Sequence, residues 1–340
     1  MKLSIISTLN KDTRDVKTFL RDLYDQENKD FEVIMAINKP PKSKEIIEII
    51  VEYQKKFGTR LKFFVNSKRQ SNQSNFASAF NMVKGEYVYI TNSDTTIRKH
   101  YTEKIIKMIS NFPEADIIEF KPRLIGSIRW KPSSRIDENK LIDLNESTEP
   151  LAYTYPFIFN KIYKSSVTKK FIKFKPTFSN DSKISLELTY SLLLEAKKYV
   201  YVDERIQREY FDIETWINPL NFVASLKALE VTCTNDKRKI MQEFYYFKAY
   251  TLQVFLAGLL TGTTIFSFYT MINRKEKTQK RNNRLVEGLD QILEKMWLTN
   301  EFKNFRDSNM YMLKNLPEVN VLRRKTPINK WYKILGLLEQ

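Results

Sequence analysis

The sequence predicts an α/β domain built on a parallel sheet, joined near residues 212–220 to an all-helical C-terminal part. Short apolar runs alternate with segments of helical periodicity through the first ~120 residues, the order expected of βαβ units with helices on both faces. One of these runs, at residues 87–90, ends in a small polar cluster, and the carboxyl ends of such strands are where open α/β sheets bind ligands. Beyond about Asp212 strand signals stop and helical periodicity takes over, which puts the domain boundary around Trp216 and Pro219.

Residues 2–7 (KLSIIS) form the first apolar run, and Val16, Phe19, Leu20 and Leu23 place a helix over residues 12–24. Residues 31–37 (FEVIMAI) make the second strand, closed by Pro40 and Pro41, which cannot donate to a ladder. A helix at 43–57, a strand at 61–66 and a helix near 73–83 follow. Gly85 then opens GEYVYITNSDTTI, where Tyr87, Val88, Tyr89 and Ile90 make a buried strand and Asn92, Ser93 and Asp94 a turn. Turn chemistry alone accounts for those three residue types, so Asp94 takes its meaning from its neighbours. A helix at 101–111 comes next, with His100 as a solvated helix-start residue after Arg98 and Lys99, and then a strand at 116–121.

Residues 123–150 are polar, charge-rich and aperiodic, a long loop or β-excursion. Order returns with residues 155–165 (YPFIFNKIYKS). A turn at Ser179, Asn180 and Asp181 opens a helix to about Lys198 whose face is Ile184, Leu188, Leu192 and Leu193, and a strand at 199–202 ends the α/β part. Asn180 or Asp181 at a helix N-terminus fits a plain N-cap, worth about 1 kcal/mol, as well as a functional role.

Composition narrows the chemistry. A hydrophobic share of 42% with 13% aromatics excludes a disordered chain. The net charge of +17 favours phosphate-rich partners or anionic lipid without choosing between them, and it keeps nucleic acid as an alternative although no recognised nucleic-acid-binding motif is present. With seven glycines and no GxGxxG or GxxxxGK[ST] loop, dinucleotide-binding and P-loop readings fail. The single histidine excludes a Ser-His-Asp triad and His-rich metal sites, leaving carboxylates as acid/base and metal groups. Cys233 has no internal disulfide partner, and MKLSIISTLNKD lacks the apolar core of a signal peptide, so a cytoplasmic location is expected.

Four stretches in one order resemble the bacterial family 2 glycosyltransferases, enzymes with the nucleotide-sugar-binding GT-A fold. LSIISTLNKD resembles the first strand and nucleotide-contacting turn, FEVIMAINKP the second strand, KGEYVYITNSDT the strand leading into the DxD-type metal motif, and FSNDSKISLELTYSLLLEAKKYVYVDE the segment carrying the catalytic carboxylate. FIFNKIYKSS is similar to the strand between the last two, and together the matches cover roughly residues 3–205.

The resemblance implies a Rossmann-like mixed sheet in a catalytic domain over residues 1–212. It also implies an inverting transfer of a sugar from a nucleotide-sugar donor, a UDP-sugar, to a hydroxyl acceptor in cell-surface glycan, glycolipid or glycoprotein synthesis. By it Asp94 holds a divalent cation, Mn or Mg, while Asn92 and Ser93 line the ribose and phosphate pocket. Thr8 and Leu9 occupy the base-stacking turn, Asn38 stands where the family has a base-contacting aspartate, and Arg69 with Lys68 faces the diphosphate. Asp181 is the general base, a role typically worth roughly 10²- to 10⁴-fold in rate.

The departures are specific. Asn38, Asn92 and Thr95 stand where acids are common, and Leu9 replaces an aromatic. With one carboxylate, the site should hold its cation weakly unless the donor's diphosphate is present. A GT-A scaffold that binds without catalysing is the alternative these departures leave.

Residues 213–340 are expected to be helical, with long segments at 221–232, 237–260 and 265–298. Residues 249–273 carry no charge and are long enough to span a bilayer, yet Gln253, Ser267 and a break at TGTT (261–264) favour a pair of packed core helices. NRKEKTQKRNNR, just after them, reads either as a solvated helix face or as a patch for anionic lipid. The last segment, LRRKTPINKWYKILGLLEQ, suits an interfacial helix at a membrane or a docking surface for another subunit. Peripheral contact with the inner face of the cell membrane and homo-oligomerisation are therefore expectations for this part.

Overall fold

The computed structural model describes residues 1–9, 13–95, 97–126, 128–178, 184–211, 217–264 and 276–339, and only the backbone of residues 13–14, 261–264 and 276–282. The chain divides into two compact units. The first comprises Met1–Pro122, Asp137–Glu146 and Tyr155–Tyr210, the second Arg123–Ile136, Ser147–Thr154 and Phe211–Gln340.

The first unit is built on an eight-stranded mixed sheet. Its opening half is β1 (Leu3–Leu9), α1 (Thr13–Tyr24), β2 (Phe31–Ile37), α2 (Ser43–Phe57), β3 (Leu61–Val65), α3 (Asn72–Phe80) and β4 (Tyr87–Ile90). These strands pair in parallel in the order β3-β2-β1-β4. The chain thus runs outward from β1 to β3 and returns on the other side of β1, so the carboxyl ends of β1 and β4 flank the point where strand order reverses. Val16, Phe19, Leu20 and Leu23 of α1, and Ile46, Ile50, Tyr53 and Phe57 of α2, pack into the core as their spacing predicts.

Because β1, β2 and β4 are buried along their whole length, their polar side chains need partners. Ser4 Oγ donates to Glu32 (2.7 Å) and accepts from Gly85 N (2.9 Å), while Lys62 pairs with Glu32 at 2.5 Å. Gly85 is fixed by this crossing, since a Cβ there would lie 2.6 Å from Ser4 N.

The other half of the sheet departs from parallel order. Strand Lys161–Lys164 runs antiparallel to both β4 and β5 (Ile117–Phe120), and parallel pairing resumes between β5 and Lys198–Val202. Within FIFNKIYKSS, the stretch similar to a family strand, residues 161–164 are strand. The buried Lys161 takes the preceding backbone for itself, donating to Tyr155 O (2.6 Å), Phe157 O (2.9 Å) and Asn160 Oδ1 (2.9 Å), with Glu119 at 3.3 Å.

The helix expected from Asp181 instead begins at Leu186, with Ile184 and Ser185 before it, and ends at Glu195. One of its first amides is satisfied from elsewhere, Gln73 Oε1 of α3 accepting from Leu188 N (2.8 Å), while the Glu187 carboxylate holds Thr177 by accepting from its N and Oγ1. Residues 179–183 lie outside the described residues.

The second unit is mainly helical. Pro219–Thr234 is followed by Met241–Ala249, a π-helical stretch Tyr250–Leu256 and Ala257–Thr264, then by Glu276–Leu298, Asn300–Ser308 and Pro317–Leu322. The expected break at 261–264 is not there: the backbone stays helical through Thr264. Gln253 is fully buried, donating to Val321 O and accepting from Trp297 Nε1, both at 2.8 Å. No helix among the described residues is long and apolar enough to cross a membrane.

Part of the 123–150 excursion joins this unit. Strand Leu124–Gly126 opens it, and the nearly buried Arg135 meets Glu318 at 2.9 Å and donates to Tyr153 O. The C-terminal segment corrects its expectation as an interfacial helix. Pro327 and Gly336 divide it into 3₁₀ turns, Ile328–Lys333 and Gly336–Leu338, and Trp331, Ile334 and Leu335 are buried in the unit's own core rather than lining a free face. Leu335 sits where a side chain at Gly258 would be, 2.4 Å from such a Cβ.

Candidate active site

The candidate site is assembled at the carboxyl ends of β1, β2 and β4. Thr91 continues the β4 ladder by donating to Ile6 O (3.0 Å), and the chain then turns at Asn92–Thr95, closed by Thr95 N to Asn92 O at 3.2 Å. Asn92, Ser93 and Asp94 are half-buried in that turn. Asn38 N donates to Leu9 O (3.1 Å), so Thr8, Leu9 and Asn38 come together at the ends of β1 and β2.

The side chain of Asn38 grips the next loop. Its Oδ1 accepts from Gln70 N (2.8 Å) and Asn66 Nδ2 (3.0 Å), and its Nδ2 donates to Gln70 O (2.8 Å). Thr8 Oγ1 adds a contact to Asn72 Oδ1 at 3.3 Å. This holds the Arg69 loop against β2. Arg69 and Lys68 are exposed, and Arg69 lines a cleft of about 470 Å³ with Ser71, Ser74, Lys173 and Lys175 among others. Asp181 lies outside the described residues.

The structure adds a residue that the sequence reading missed. Glu209, fully buried at the start of strand Glu209–Phe211, accepts from Asn92 Nδ2 through Oε1 and from Thr95 Oγ1 through Oε2, each at 2.7 Å. Gln207 stands behind it, with Nε2 3.4 Å from Glu209 Oε2 and 3.3 Å from Phe159 O, and with Oε1 accepting from Thr91 Oγ1 (3.1 Å) and Tyr101 OH (3.2 Å). Burial first, and the charge of Glu209 further down, hold the phenols of Tyr89 and Tyr101 above their ordinary range. A signal was available: residues 207–211 alternate, with Gln207 and Glu209 inward and Arg208 and Tyr210 outward. Polar residues at the inward positions of a strand-like run need a partner inside.

Asp94 is the carboxylate within the turn, with amide and hydroxyl oxygens beside it. Among the described residues, three acid or histidine side chains close enough to share one ion occur only at the exposed Glu27, His100 and Glu103, a group that does not include Asp94. The donor set at Asp94 therefore suits a hard cation that takes its remaining oxygens from a ligand.

The glycosyl transferase family 2 profile matches residues 4–171, which hold β1 to β5 and the Asp94 turn. Residues 4–171 are a family 2 glycosyltransferase domain. It is 25% identical over 291 residues to an uncharacterized glycosyltransferase of Methanocaldococcus jannaschii, covering 80% of this chain and 93% of that one. Two solved structures share the fold. S. aureus TarS 1-349 in complex with UDP-GlcNAc aligns with a TM-score of 0.58 at 16% identity, over 99% of this chain and 91% of that one. The mannosyltransferase PcManGT from Pyrobaculum calidifontis, in complex with GDP-Man and Mn2+, aligns with a TM-score of 0.53 at 10% identity, over 99% and 84%. The glycosyltransferase thus has the GT-A fold with a helical C-terminal region, as its motifs implied.

Proposed function

We propose that this glycosyltransferase moves a sugar from a UDP-sugar to a hydroxyl acceptor with inversion at the anomeric carbon. The observation that carries the reading is the position of the Asp94 turn, at the carboxyl end of β4 and hydrogen-bonded through Thr91 to β1, where the strand order reverses. The UDP-GlcNAc in TarS and the GDP-Man with Mn2+ in PcManGT support a nucleotide-sugar donor and a cation for this chain as well.

On this reading Thr8, Leu9 and Asn38 receive the base, Asn92 and Ser93 line the ribose and phosphate pocket, and Arg69 faces the diphosphate. Asp94 would hold Mn or Mg, which when bound neutralises charge on the departing diphosphate. Asp181 takes the proton from the acceptor hydroxyl as that oxygen bonds to the anomeric carbon and the bond from that carbon to the diphosphate oxygen breaks. The catalytic domain is residues 1–212, and residues 213–340 serve acceptor, membrane or oligomer contacts. The charge of +17 would draw the enzyme to anionic lipid at the inner face of the membrane, where cell-surface glycan, glycolipid or glycoprotein acceptors are made.

The test is a thermal-shift screen of UDP-sugars and GDP-mannose with and without Mn, followed by a hydrolysis assay on the best donor. Stabilisation by one UDP-sugar that grows with Mn is expected, and preference for GDP-mannose would replace the donor assignment. Asp181→Asn should abolish transfer while leaving nucleotide binding nearly intact; wild-type turnover by that variant would remove the base.

A further inference from the structure

We infer that Glu209 is a positioning residue for the cation at Asp94, delivering from another strand the carboxylate that the turn itself lacks at Asn92 and Thr95. The inference rests on the reading of Asp94 given above. Asn92 and Thr95, the turn residues on either side of Ser93 and Asp94, donate to Glu209, one to each oxygen. The Asn92 amide, the Thr95 hydroxyl and the Gln207 amide all face the two oxygens of Glu209, and so many donors favour the ionised carboxylate. Its negative charge is therefore held against the turn, inside a region where water screens it little.

The position of Glu209 is itself enforced. Gln207 reaches Glu209 with the same amide whose oxygen is held by Thr91 at the end of β4 and by Tyr101 at the start of α4 (Tyr101–Asn111). Thr91 immediately precedes the turn, so both the turn and the acid that clamps it are referred to one strand end. A clamp on both sides of Asp94 limits the orientations its carboxylate can take, and the added charge favours a cation beside it. Partners of this kind, one shell outside the metal ligand, commonly change metal affinity by about 10- to 100-fold when removed.

The experiment is calorimetric titration of Mn into the full-length protein saturated with UDP, beside UDP titration in EDTA and thermal denaturation of each variant. Glu209→Gln keeps the shape and removes the charge, since the Asn92 amide can turn to face it. It should weaken Mn binding at least about 10-fold while UDP binding without metal stays at the wild-type value. Asn92→Asp placed on the Glu209→Gln background returns the carboxylate to the turn and should restore Mn affinity to within about threefold of wild type, a rescue that a merely structural role would not give. Wild-type Mn affinity in Glu209→Gln would overturn the inference while leaving the Asp94 reading in place. Absence of any UDP-linked Mn binding in the wild type would take down both. Should Glu209→Gln not fold, Glu209→Asp decides, because its shorter carboxylate loses both clamps; an unchanged Mn affinity in that variant sinks the proposal.

Discussion

Glu119 and Glu209 are both fully buried acids of the sheet unit, yet their surroundings differ. Glu119 on β5 faces a buried lysine, Lys161, at 3.3 Å, and accepts from Tyr155 N, Asn160 Nδ2 and Tyr199 OH. Glu209 accepts from Asn92 and Thr95, which bracket the candidate metal ligand. The same residue type in equal burial thus holds the sheet together in one place and shapes a turn at the site in the other. The identity of the partners, rather than burial, separates the two roles.

The largest expected effect lies at the site itself. Asp94→Ala should lower transfer by about three orders of magnitude, because loss of the cation's ligand forfeits several kcal/mol of charge stabilisation. Its melting temperature should stay near wild type, and a large fall would move Asp94 into the class of Glu119.

Glu119→Gln should do the reverse, costing about 3–5 kcal/mol in denaturant unfolding by leaving Lys161 buried without its acid. Burial pulls the Lys161 amine down from 10.5 to about 8, with the charge of Glu119 opposing the fall. Between those values the unfolded chain binds a proton that the native state has released, so this group adds stability as pH rises through that window. Without the opposing charge of Glu119 the amine falls further, so the penalty of Glu119→Gln should shrink as pH is raised toward about 8, where wild-type Lys161 also releases its proton, and stay level above it; a penalty independent of pH would contradict the pairing.

A smaller effect is expected at a third buried acid, Glu32, whose partner Ser4 is pressed by Gly85. Gly85→Ala would place a Cβ 2.6 Å from Ser4 N and should cost about 1–3 kcal/mol by thermal denaturation, with donor affinity retained in the folded fraction. Loss of donor affinity without loss of stability would mean that this crossing serves the site and not the core.

The first half of the sheet was legible because its information is local. Val16, Phe19, Leu20 and Leu23 declare a helix by spacing, and YVYI between Gly85 and Asn92 declares a buried strand. The Asp94 turn was legible for the same reason, since strand and turn are contiguous. The later elements were not. Lys161 takes the carbonyls of Tyr155 and Phe157, Gln73 supplies the start of a helix more than a hundred residues away, and Pro327 and Gly336 fold an amphipathic-looking tail into the core. Glu209 belongs with these, because its bonds to Asn92 and Thr95 span 117 and 114 positions and leave no local mark beyond an inward-facing acid.

The most direct test of the central claim is calorimetric titration of Mn into the wild-type protein with and without UDP. The account predicts weak or undetectable Mn binding alone and binding at least about tenfold tighter once UDP supplies diphosphate oxygens beside Asp94. Tight stoichiometric Mn binding in the absence of nucleotide, or Mn binding indifferent to UDP, would contradict it.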